Sequence, residues 1–367
     1  MSEVRSQKYE ISYLRPYPTS DLRLPTSVCI FAPQLTMKVY NSIDTIPVFT
    51  KAVVTIGTFD GVHTGHRLIL DQLKQEAARI GGETVIITFH PHPRKVIHTS
   101  QPAIRLINTI GEKIGLLDKN GIDHLVIVPF TDAFSQQTPE AYIEHFLIQC
   151  FHPHTVIIGY DHRFGQGRKG DYKLLEAYSA RHSFDLKEIP AHVINNNTVS
   201  STRIREALLK GDVDAAYTLL GYDYFFEGTV VDGNKLGRQL GYPTANLRIE
   251  NEEKLVPGDG IYAVEAEIVD QQSTIGNRQS DTDHSPLTTH HSRLKGMMSI
   301  GIRPTIGGTD RVIEVNIFDF NEDIYGKTLR VYLKKWLRPE LKFNGLEALK
   351  EQLAKDKEQS LKIFKKP

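Results

Sequence analysis

The stretch "TIGTFDGVHTGHRLIL", Thr55 to Leu70, decides the fold of the first half of this chain. A short β-branched run ends at Gly57, and Gly61 follows Phe59 and Asp60. Two histidines, His63 and His66, then precede an apolar helical pattern. This order predicts a buried strand, a tight turn and the start of a helix. Glycines beside a helix start offer backbone N–H groups and a positive dipole end to an oxyanion, so the stretch also predicts a phosphate site.

The residues around this stretch alternate between strand-like and helix-like segments. The strand-like runs are continuous and apolar: AVVTIG from Ala52, ETVIITF from Glu83, HLVIVPF from His124 and HTVIIG from His154. Helical patterns separate them at Arg67–Ile80, Thr109–Asn120 and Thr138–Cys150. This alternation predicts an α/β Rossmann-like domain, over residues 37–215, whose parallel sheet is covered on both faces. Ligands of such sheets bind beyond the carboxyl ends of the strands, where the opening stretch lies.

The second half, residues 220–367, has a different pattern. Its strand-like segments are FFEGTVVDG from Phe225, GIYAVEAEIVD from Gly260, KGMMSIGI from Lys295, RVIEVNIFDF from Arg311 and KTLRVYLKKWL from Lys327. They predict a mostly β domain, a barrel or a sandwich, closed by an amphipathic helix at Gly345–Phe364. The polar segment Gln271–Lys295 is expected to be a solvated insertion. Its three histidines, His284, His290 and His291, are not expected to hold a metal, because nothing there fixes their geometry.

Composition excludes several classes of protein. The chain has 367 residues, which favours two domains, and its 44 basic and 44 acidic side chains cancel. We therefore expect no nucleic-acid partner and no membrane partner. Two cysteines, Cys29 and Cys150, provide neither a disulfide framework nor a cysteine zinc site, so a reducing cytoplasm is expected. Residues 1–36 contain four prolines and are expected to be a disordered extension, or to result from an upstream start. A monomer or a weak homo-oligomer is expected.

The residue types after the first strand suit a nucleotide polyphosphate. Gly57 and Gly61 let backbone N–H groups approach an oxyanion, and Gly65 leaves room for a nucleotide to pack flat. The two histidines share one helical turn and can donate hydrogen bonds to a phosphoryl group in transfer, with Asp60 as a ligand or an orienting group. The alternative is a pair of surface histidines at a helix cap. The combination of strand, glycines and histidines in this order favours the phosphate site.

The segment "GTFDGVHTGH" resembles the H-x-G-H signature of the nucleotidyltransferase superfamily, which is related to class I aminoacyl-tRNA synthetases. The resemblance implies that an anion attacks the α-phosphate of ATP and that pyrophosphate leaves. It implies nucleotide binding by the residues of this segment, which are Gly57, Thr58, Phe59, Asp60, Gly61 and Gly65. More narrowly, the chain from about Met37 resembles the bifunctional prokaryotic riboflavin kinase/FAD synthetase family.

Three further segments carry that resemblance: "TFHPHPRKV" from Thr88, "GYDHRFGQGRKGD" from Gly159 and "VSSTRIREALLKGD" from Val199. The last offers hydroxyl and guanidinium donors suited to pyrophosphate at a helix start: Ser200, Ser201, Thr202 and Arg205. In the second, Asp161 and Arg168 are expected to hold the adenine, the ribose or the FMN phosphate. His90 and His92 either line the flavin site or cap a strand.

Two residues depart from the family pattern. Thr58 stands where the family often has Asn, and His162 stands where it usually has Phe. Thr58 keeps a small polar side chain. His162 is expected to change the packing of the loop that carries Asp161, on which the assignment of Asp161 depends.

The second half resembles the riboflavin kinase module in "GTVVDGNKLGRQLGYPTANL" from Gly228, whose segment Gly241–Asn246 matches a G-[FY]-P-T-A-N signature. Three glycines permit this loop to close over ATP phosphates: Gly233, Gly237 and Gly241. Pro243 fixes the turn, and Thr244 and Asn246 offer oxygen ligands to Mg²⁺. The alternative is a glycine-rich turn with one hydroxyl.

Glu314 is the acidic residue in the apolar strand "RVIEVNIFDF". The resemblance implies that it accepts the proton of the riboflavin 5'-hydroxyl during attack on the γ-phosphate, since a primary alcohol is a poor nucleophile at neutral pH. The alternative is a charge on a solvated strand face. Arg338 and Phe343 are expected to border the flavin, whereas Trp336 is expected in the core.

The favoured function is a bifunctional enzyme. Riboflavin and ATP give FMN and ADP at the second site, and FMN and ATP give FAD and pyrophosphate at the first, with Mg²⁺ and ATP at both. One alternative retains a single activity and uses the other half as a scaffold. Another is a nucleotide-sensing or nucleic-acid-binding module on a borrowed fold. Since both sets of reactive residues are present, the bifunctional enzyme is the stronger hypothesis.

Overall fold

The computed structural model describes residues 36–97, 104–190, 199–233, 236–269, 293–305 and 308–365. The first half of these residues forms a six-stranded parallel sheet with strand order β1-β4-β3-β2-β5-β6. Its strands are β1 Lys38–Tyr40, β2 Val53–Ile56, β3 Thr84–His90, β4 His124–Pro129, β5 Thr155–Gly159 and β6 Asp185–Ile189. The order reverses at β2, which pairs with β3 on one side and β5 on the other, so the sheet has its switch point where the H-x-G-H segment begins.

Helices cover both faces of the sheet. They are α1 Thr64–Ile80, α2 Pro93–Ile97, α3 Ile110–Lys119, α4 Asp132–Ser135, α5 Pro139–Ala141, a π-helix Tyr142–Ile148, α6 Gln149–Phe151 and α7 Tyr172–His182. Alternate residues of β2 point into different cores, Val53 into one and Val54 into the other. The strands are therefore buried on both sides, which explains why they are continuously apolar.

The second half forms a closed barrel of six strands in the order β10-β11-β8-β7-β12-β9, with β9 also paired to β10. Its strands are β7 Phe225–Val231, β8 Ala245–Arg248, β9 Gly260–Val269, β10 Leu294–Thr305, β11 Gly308–Ile317 and β12 Thr328–Arg338. A short helix, α10 Leu236–Gln239, lies between β7 and β8, and α11 Leu346–Ile363 follows the barrel. Closure removes the exposed edges that an open sheet would present.

Two helices join the halves: α8 Ser201–Leu209 and α9 Val213–Leu220. Ile204 and Leu208 of α8 and Leu220 of α9 are buried in the same cluster as the barrel residues Val264 and Val331. These helices therefore share a hydrophobic core with the barrel, although α8 begins with residues predicted for the first site.

The predicted fold class is confirmed: a parallel α/β sheet precedes a β-barrel and a C-terminal helix. Sequence patterns missed the short strands β1, β6 and β8, and they did not show that Thr138–Cys150 contains a π-helix. The predicted insertion lies outside the described residues up to position 292, but Leu294 and Lys295 belong to β10, so its predicted end is too late. Residues 1–35 also lie outside the described residues. No helix in the described part of the chain is long and apolar enough to cross a membrane.

Candidate active sites

The H-x-G-H segment forms the connection from β2 to α1. Phe59 has a φ of 45° and Gly61 a φ of 93°, which together reverse the chain sharply. The N–H of Gly57 donates to Ile87 O at 3.0 Å, so this donor belongs to the sheet. Thr58 and Gly57 are half-buried, whereas Phe59 and Gly65 are buried. The turn and the first residues of α1 therefore hold all the predicted residues of this segment, directly after the strand.

The two histidines lie face to face at the start of α1. Their ring centroids are 3.6 Å apart and the rings are nearly parallel, at 13°. His63 is the N-cap, and its Nδ1 accepts the His66 backbone N–H at 3.3 Å. Since an accepting Nδ1 carries no proton, neutral His63 has its proton on Nε2, which is left to donate.

Both imidazoles are held neutral. Burial lowers the pKa of His63 to about 4, helped by the nearby positive charge of Arg205. Burial, with His63 and Lys113 nearby, lowers the pKa of His66 well below its usual range. His66 Nδ1 is buried with no hydrogen-bond partner among the described residues. The pair can thus act as neutral hydrogen-bond donors, not as cations.

Asp60 is held by the protein on every side. Its side chain is 2% exposed, and its Oδ1 accepts the N–H groups of Ile107 at 3.0 Å and Asn108 at 3.2 Å. Its Oδ2 forms an ion pair with Arg205, whose Nε also donates to Arg105 O at 2.8 Å. These contacts hold the Asp60 carboxylate within the turn.

The helix start at Ser200 meets the same turn. Ser200 is the N-cap of α8, and Ser201 Oγ donates to Asp60 O at 2.8 Å. Ser200 and Thr202 are exposed. The structure therefore brings the predicted serines next to the H-x-G-H turn, while Arg205 points to Asp60.

The remaining predicted residues of this half lie at the end of β3 or on the segments that follow β3 and β5, the two neighbours of β2. His90 is exposed at the end of β3, and His92 is buried with its Nδ1 accepting the Arg94 N–H at 3.2 Å. Burial, with Lys113 as the largest nearby charge, lowers the pKa of His92 to about 3. Asp161 and Arg168 are exposed after β5. All four share the carboxyl edge of the sheet with the histidine pair.

His162 keeps the place of an aromatic side chain in the loop after β5. Its ring stacks on Phe164 at 5.8 Å and 30°, and Phe164 stacks on Tyr142 at 5.0 Å. Burial lowers the pKa of His162 to about 4, and its Nε2 is buried with no partner in the described part of the chain. The loop is thus packed by an imidazole that leaves one polar atom unsatisfied.

Sequence reasoning missed an aromatic group beside His90. The half-buried rings of Phe89, Phe130 and Phe134 lie 5.4 to 5.6 Å apart, between centroids, at the carboxyl ends of β3 and β4. The Phe130 N–H donates to His90 O at 3.1 Å. The signal was present for two of them, since Phe89 lies at the end of β3 and Phe130 directly follows β4, where parallel sheets place ligands.

The second candidate site lies on the outer wall of the barrel. Asn246 of β8 pairs with Val231 of β7 on one side and with Glu314 of β11 on the other. Directly paired residues project to the same face of a sheet, with Cβ atoms about 4.5–5.5 Å apart. Leu247 and Val315 point into the barrel core, so Asn246 and Glu314 face outward. Neither is fully exposed.

A glycine loop covers this wall. A Cβ atom on Gly233 would collide with the Asn246 amide, and one on Gly237 would collide with Tyr242 O and lie 3.3 Å from Thr244 Oγ1. These glycines therefore allow the loop to contact the two predicted oxygen donors directly. Gly241 has a φ of 83°, which a side chain rarely adopts.

Asn316 is a further residue that sequence reasoning missed. It is 6% exposed, lies two residues after Glu314, and its Nδ2 donates to Pro243 O at 2.7 Å. This hydrogen bond fixes the turn that presents Thr244. An amide side chain in an otherwise apolar strand was the sequence signal that could have identified it.

Arg338 ends β12 and is linked to Glu314 in the barrel register through Ile261 of β9 and Ser299 of β10, and Phe343 follows β12. Arg338 forms two hydrogen bonds with Asp356 of α11, at 2.9 and 2.6 Å, and its guanidinium lies 5.9 Å from the Phe343 ring centre. Asp356 is fully buried. Trp336, which was expected in the core, is half-buried and packs against the barrel core cluster.

The donor set of the barrel wall suits a magnesium ion. Thr244 and Asn246 offer hydroxyl and amide oxygens, which are ligand types of a hard cation. In the first half Asp60 is already bound by Arg205, so a cation there would depend on phosphate oxygens. No group of three or more His, Cys, Asp or Glu side chains that could hold a metal occurs among the described residues.

Comparisons with known proteins match both halves. The family model for FAD synthetase matches residues 46–203, and that for riboflavin kinase matches residues 220–364. A bifunctional riboflavin kinase/FMN adenylyltransferase of Listeria monocytogenes is 35% identical over 86% of this chain and 93% of its own length. One of Haemophilus influenzae is 33% identical, over 86% and 96%.

A crystal structure from Streptococcus pneumoniae, described as that of a macrolide-efflux protein, shares the architecture. It is 30% identical, has a TM-score of 0.73, and is matched over 89% of this chain and 98% of its own. This chain contains both matched segments. It is a two-activity enzyme of flavin-cofactor biosynthesis, with riboflavin kinase and FMN adenylyltransferase (FAD synthetase) activities. It belongs to the family of bifunctional riboflavin kinase/FMN adenylyltransferases.

Proposed function

We propose that FMN adenylylation takes place at the H-x-G-H turn, within residues 37–215, and riboflavin phosphorylation at the outer wall of the barrel, within residues 220–367. The observation that carries this proposal is the pairing of two reactive sets in separate elements. The stacked histidines lie at the sheet's switch point, and Glu314 lies opposite Asn246 in the barrel register. The histidines offer hydrogen-bond donors for adenylyl transfer, and Glu314 offers a proton acceptor for the kinase reaction.

In adenylyl transfer, a phosphate oxygen of FMN attacks the α-phosphorus of ATP, and the bond to the departing pyrophosphate breaks. His63 Nε2 donates to an oxygen of the transferring phosphoryl group, and His66 supports the stacked geometry or donates beside it. Ser200 and Thr202 at the exposed start of α8, with Asp161 and Arg168 on the loop after β5, bind the nucleotide. Gly57 to Gly65 provide the turn against which it packs.

The flavin of FMN binds at the adjacent edge of the sheet. The half-buried rings of Phe89 and Phe130 offer an apolar surface for the isoalloxazine, and His90 lies beside them. The buried His92 supports this loop. Arg338 and Phe343 border riboflavin at the other site through the Phe343 ring, since the Arg338 guanidinium is bound to Asp356.

In the kinase reaction, Glu314 accepts the proton of the riboflavin 5'-hydroxyl as its oxygen attacks the γ-phosphorus of ATP, and ADP leaves. Gly233, Gly237 and Gly241 allow the loop to lie over the phosphates. Thr244 and Asn246 hold Mg²⁺, which when bound neutralises charge on the ATP phosphates. At the first site another Mg²⁺ would be held by ATP itself.

We further propose that the protein is a monomer or a weak homo-oligomer in the cytoplasm, without a nucleic-acid or membrane partner. This fits the neutral charge balance and the use of ATP.

The test is a time course with riboflavin, ATP and magnesium, in which the flavins are separated by chromatography. FMN should appear before FAD. Radioactive FMN added to the same reaction should label the FAD. If FAD formed from riboflavin without taking up this label, the two-site order would be wrong. If FMN alone accumulated, the adenylylation site would be wrong.

A further inference from the structure

A buried lysine lies directly beneath the H-x-G-H turn. Lys113, on the first turn of α3, is 6% exposed, and its Nζ donates to Thr58 O at 2.7 Å and lies 3.5 Å from Thr88 Oγ1. Thr88 Oγ1 also donates to Thr58 O, at 3.3 Å. The ammonium is thus enclosed between the carboxyl ends of β2 and β3, the two strands that carry the adenylylation residues.

Its positive charge reaches the groups of the site. It contributes to the lowered pKa of both His66 and His92. The carboxylate that faces it is Asp60, but Asp60 is already bound by Arg205 and by two backbone N–H groups. Among the described residues, no carboxylate lies within ion-pair distance of Lys113 Nζ.

A buried ammonium without its own counter-ion is an expensive feature to retain for stability alone. Burial lowers the pKa of Lys113 to about 8, so the group is still mostly charged at neutral pH. A polyphosphate bound at the turn above would compensate this charge. The two neutral histidines supply no positive charge, so Lys113 adds a buried charge beneath the turn to that of Arg168 on the exposed loop after β5.

We propose that Lys113 is a positioning residue of the adenylylation site: it fixes the Gly57–Gly61 turn through the Thr58 carbonyl, and its ammonium provides a buried positive charge that favours binding of the ATP polyphosphate. This inference rests on the proposed location of adenylylation at the histidine pair. Lys113 acts through the turn and through its field, so its loss should affect FAD formation and not the kinase reaction.

The test compares Lys113→Met, Lys113→Gln and Lys113→Arg with wild type in FAD formation from supplied FMN. Met and Gln should both lower kcat/KM for ATP by about tenfold or more, because both remove the charge. Gln keeps a hydrogen-bond donor, so a role confined to holding the Thr58 carbonyl would spare it. Arg should retain most of the activity. Lys119→Met, at the exposed end of α3, is the matched control and should change little.

A pH profile separates the charge from a structural role. In wild type, kcat/KM for ATP should fall as the pH rises through about 8, because Lys113 loses its proton in the free enzyme. Lys113→Arg should lack this fall, since the guanidinium stays charged. The other groups facing Lys113 are Asp60, His66 and His92. The pKa values of both histidines lie well below this range, so the histidines stay neutral and do not cause the fall.

FMN formation from riboflavin by each variant checks that the protein is folded. If Lys113→Met lost this reaction too, the profiles of wild type and Lys113→Arg would decide alone. The inference would be overturned if wild type and Lys113→Arg had the same pH profile of kcat/KM for ATP. It would also be overturned if Lys113→Met formed FAD within twofold of the wild-type rate. A His63→Ala/His66→Ala variant that still made FAD would instead overturn the proposed location of the site.

Discussion

The two candidate sites are assembled by different kinds of contact. At the H-x-G-H turn, residues far apart in sequence are joined by buried polar contacts, such as the pair of Asp60 and Arg205, 145 residues apart. At the barrel wall, Asn246 and Glu314 are brought together by strand register, and glycines let the loop approach them. The first site therefore depends on packing between distant elements, whereas the second depends on one sheet and its adjoining loop.

The difference matters because the first site is not confined to the parallel sheet. Helix α8, which supplies Ser200 and Arg205, buries Ile204 and Leu208 in the core of the barrel. The barrel thus supports the start of α8 next to the adenylylation residues. The residues proposed for the two reactions lie on separate elements. We therefore expect mutations to remove one activity without the other, whereas a loss of stability should affect both activities.

The largest expected effect is the loss of FAD formation without loss of FMN formation. His63→Ala/His66→Ala should lower the rate of FAD formation from FMN by about 10³-fold or more, because the donors to the transferring phosphoryl group are gone. FMN formation from riboflavin should stay near the wild-type rate. Chromatographic flavin assays measure both. His145→Ala, an exposed histidine on the π-helix, is the control. Equal loss of both activities in a folded variant would mean that the reactive sets are shared.

The reciprocal change affects the barrel wall. Glu314→Gln should lower FMN formation by about 10²-fold or more, since the amide cannot accept the hydroxyl proton. FAD formation from supplied FMN should be unchanged. The control is Glu322→Gln, an exposed carboxylate after β11. Retention of FMN formation would place Glu314 on a merely solvated face, the alternative that its sequence left open.

A third change tests whether the two halves share stability. Arg205→Met leaves the Asp60 carboxylate buried without its partner and should lower the free energy of unfolding by about 3 kcal/mol. Because α8 packs in the barrel core, heating should inactivate both reactions together and earlier than in wild type. Urea unfolding and activity after heating measure this. Arg181→Met, on the exposed end of α7, should change stability by less than about 0.5 kcal/mol. Unchanged kinase survival in Arg205→Met would show that the halves unfold independently.

The smallest effect concerns the loop after β5. His162→Phe keeps the stack on Phe164 and removes the buried, unpartnered Nε2, so it should raise the free energy of unfolding by up to about 1 kcal/mol. FAD formation should stay within about twofold of wild type. The exposed His182→Phe serves as the comparison. A large loss of FAD formation would instead assign the imidazole a direct contact with substrate.

The sequence was most informative where the decisive contacts are local. The order of strand, glycines, histidines and helix in Thr55–Leu70 predicted the turn, and the stacked histidines follow from three-residue spacing at a helix start. The longer strands of the sheet and barrel were also predicted from their apolar runs. Strand β1, with three residues, is too short to show a period.

The missed features depend on distant partners. The sequence around Lys113, with Glu112 before it, has the charges of a solvated helix face, and only tertiary packing buries it against Thr58. In the same way, the partner of Asp60 and the register of Glu314 with Asn246 are properties of the folded chain. Arg205 and Arg338 were expected at ligand sites from the family resemblance. The sequence did not show that both guanidinium groups also bind buried carboxylates.

Mixing the two inactive variants tests the central claim most directly, namely that one chain holds two separate reactive sites. With riboflavin, ATP and magnesium, His63→Ala/His66→Ala alone should stop at FMN, and Glu314→Gln alone should make almost no FMN or FAD. The two together should convert riboflavin to FAD, since FMN released by one serves the other. Failure of the mixture to form FAD, although Glu314→Gln still adenylylates supplied FMN, would contradict the account.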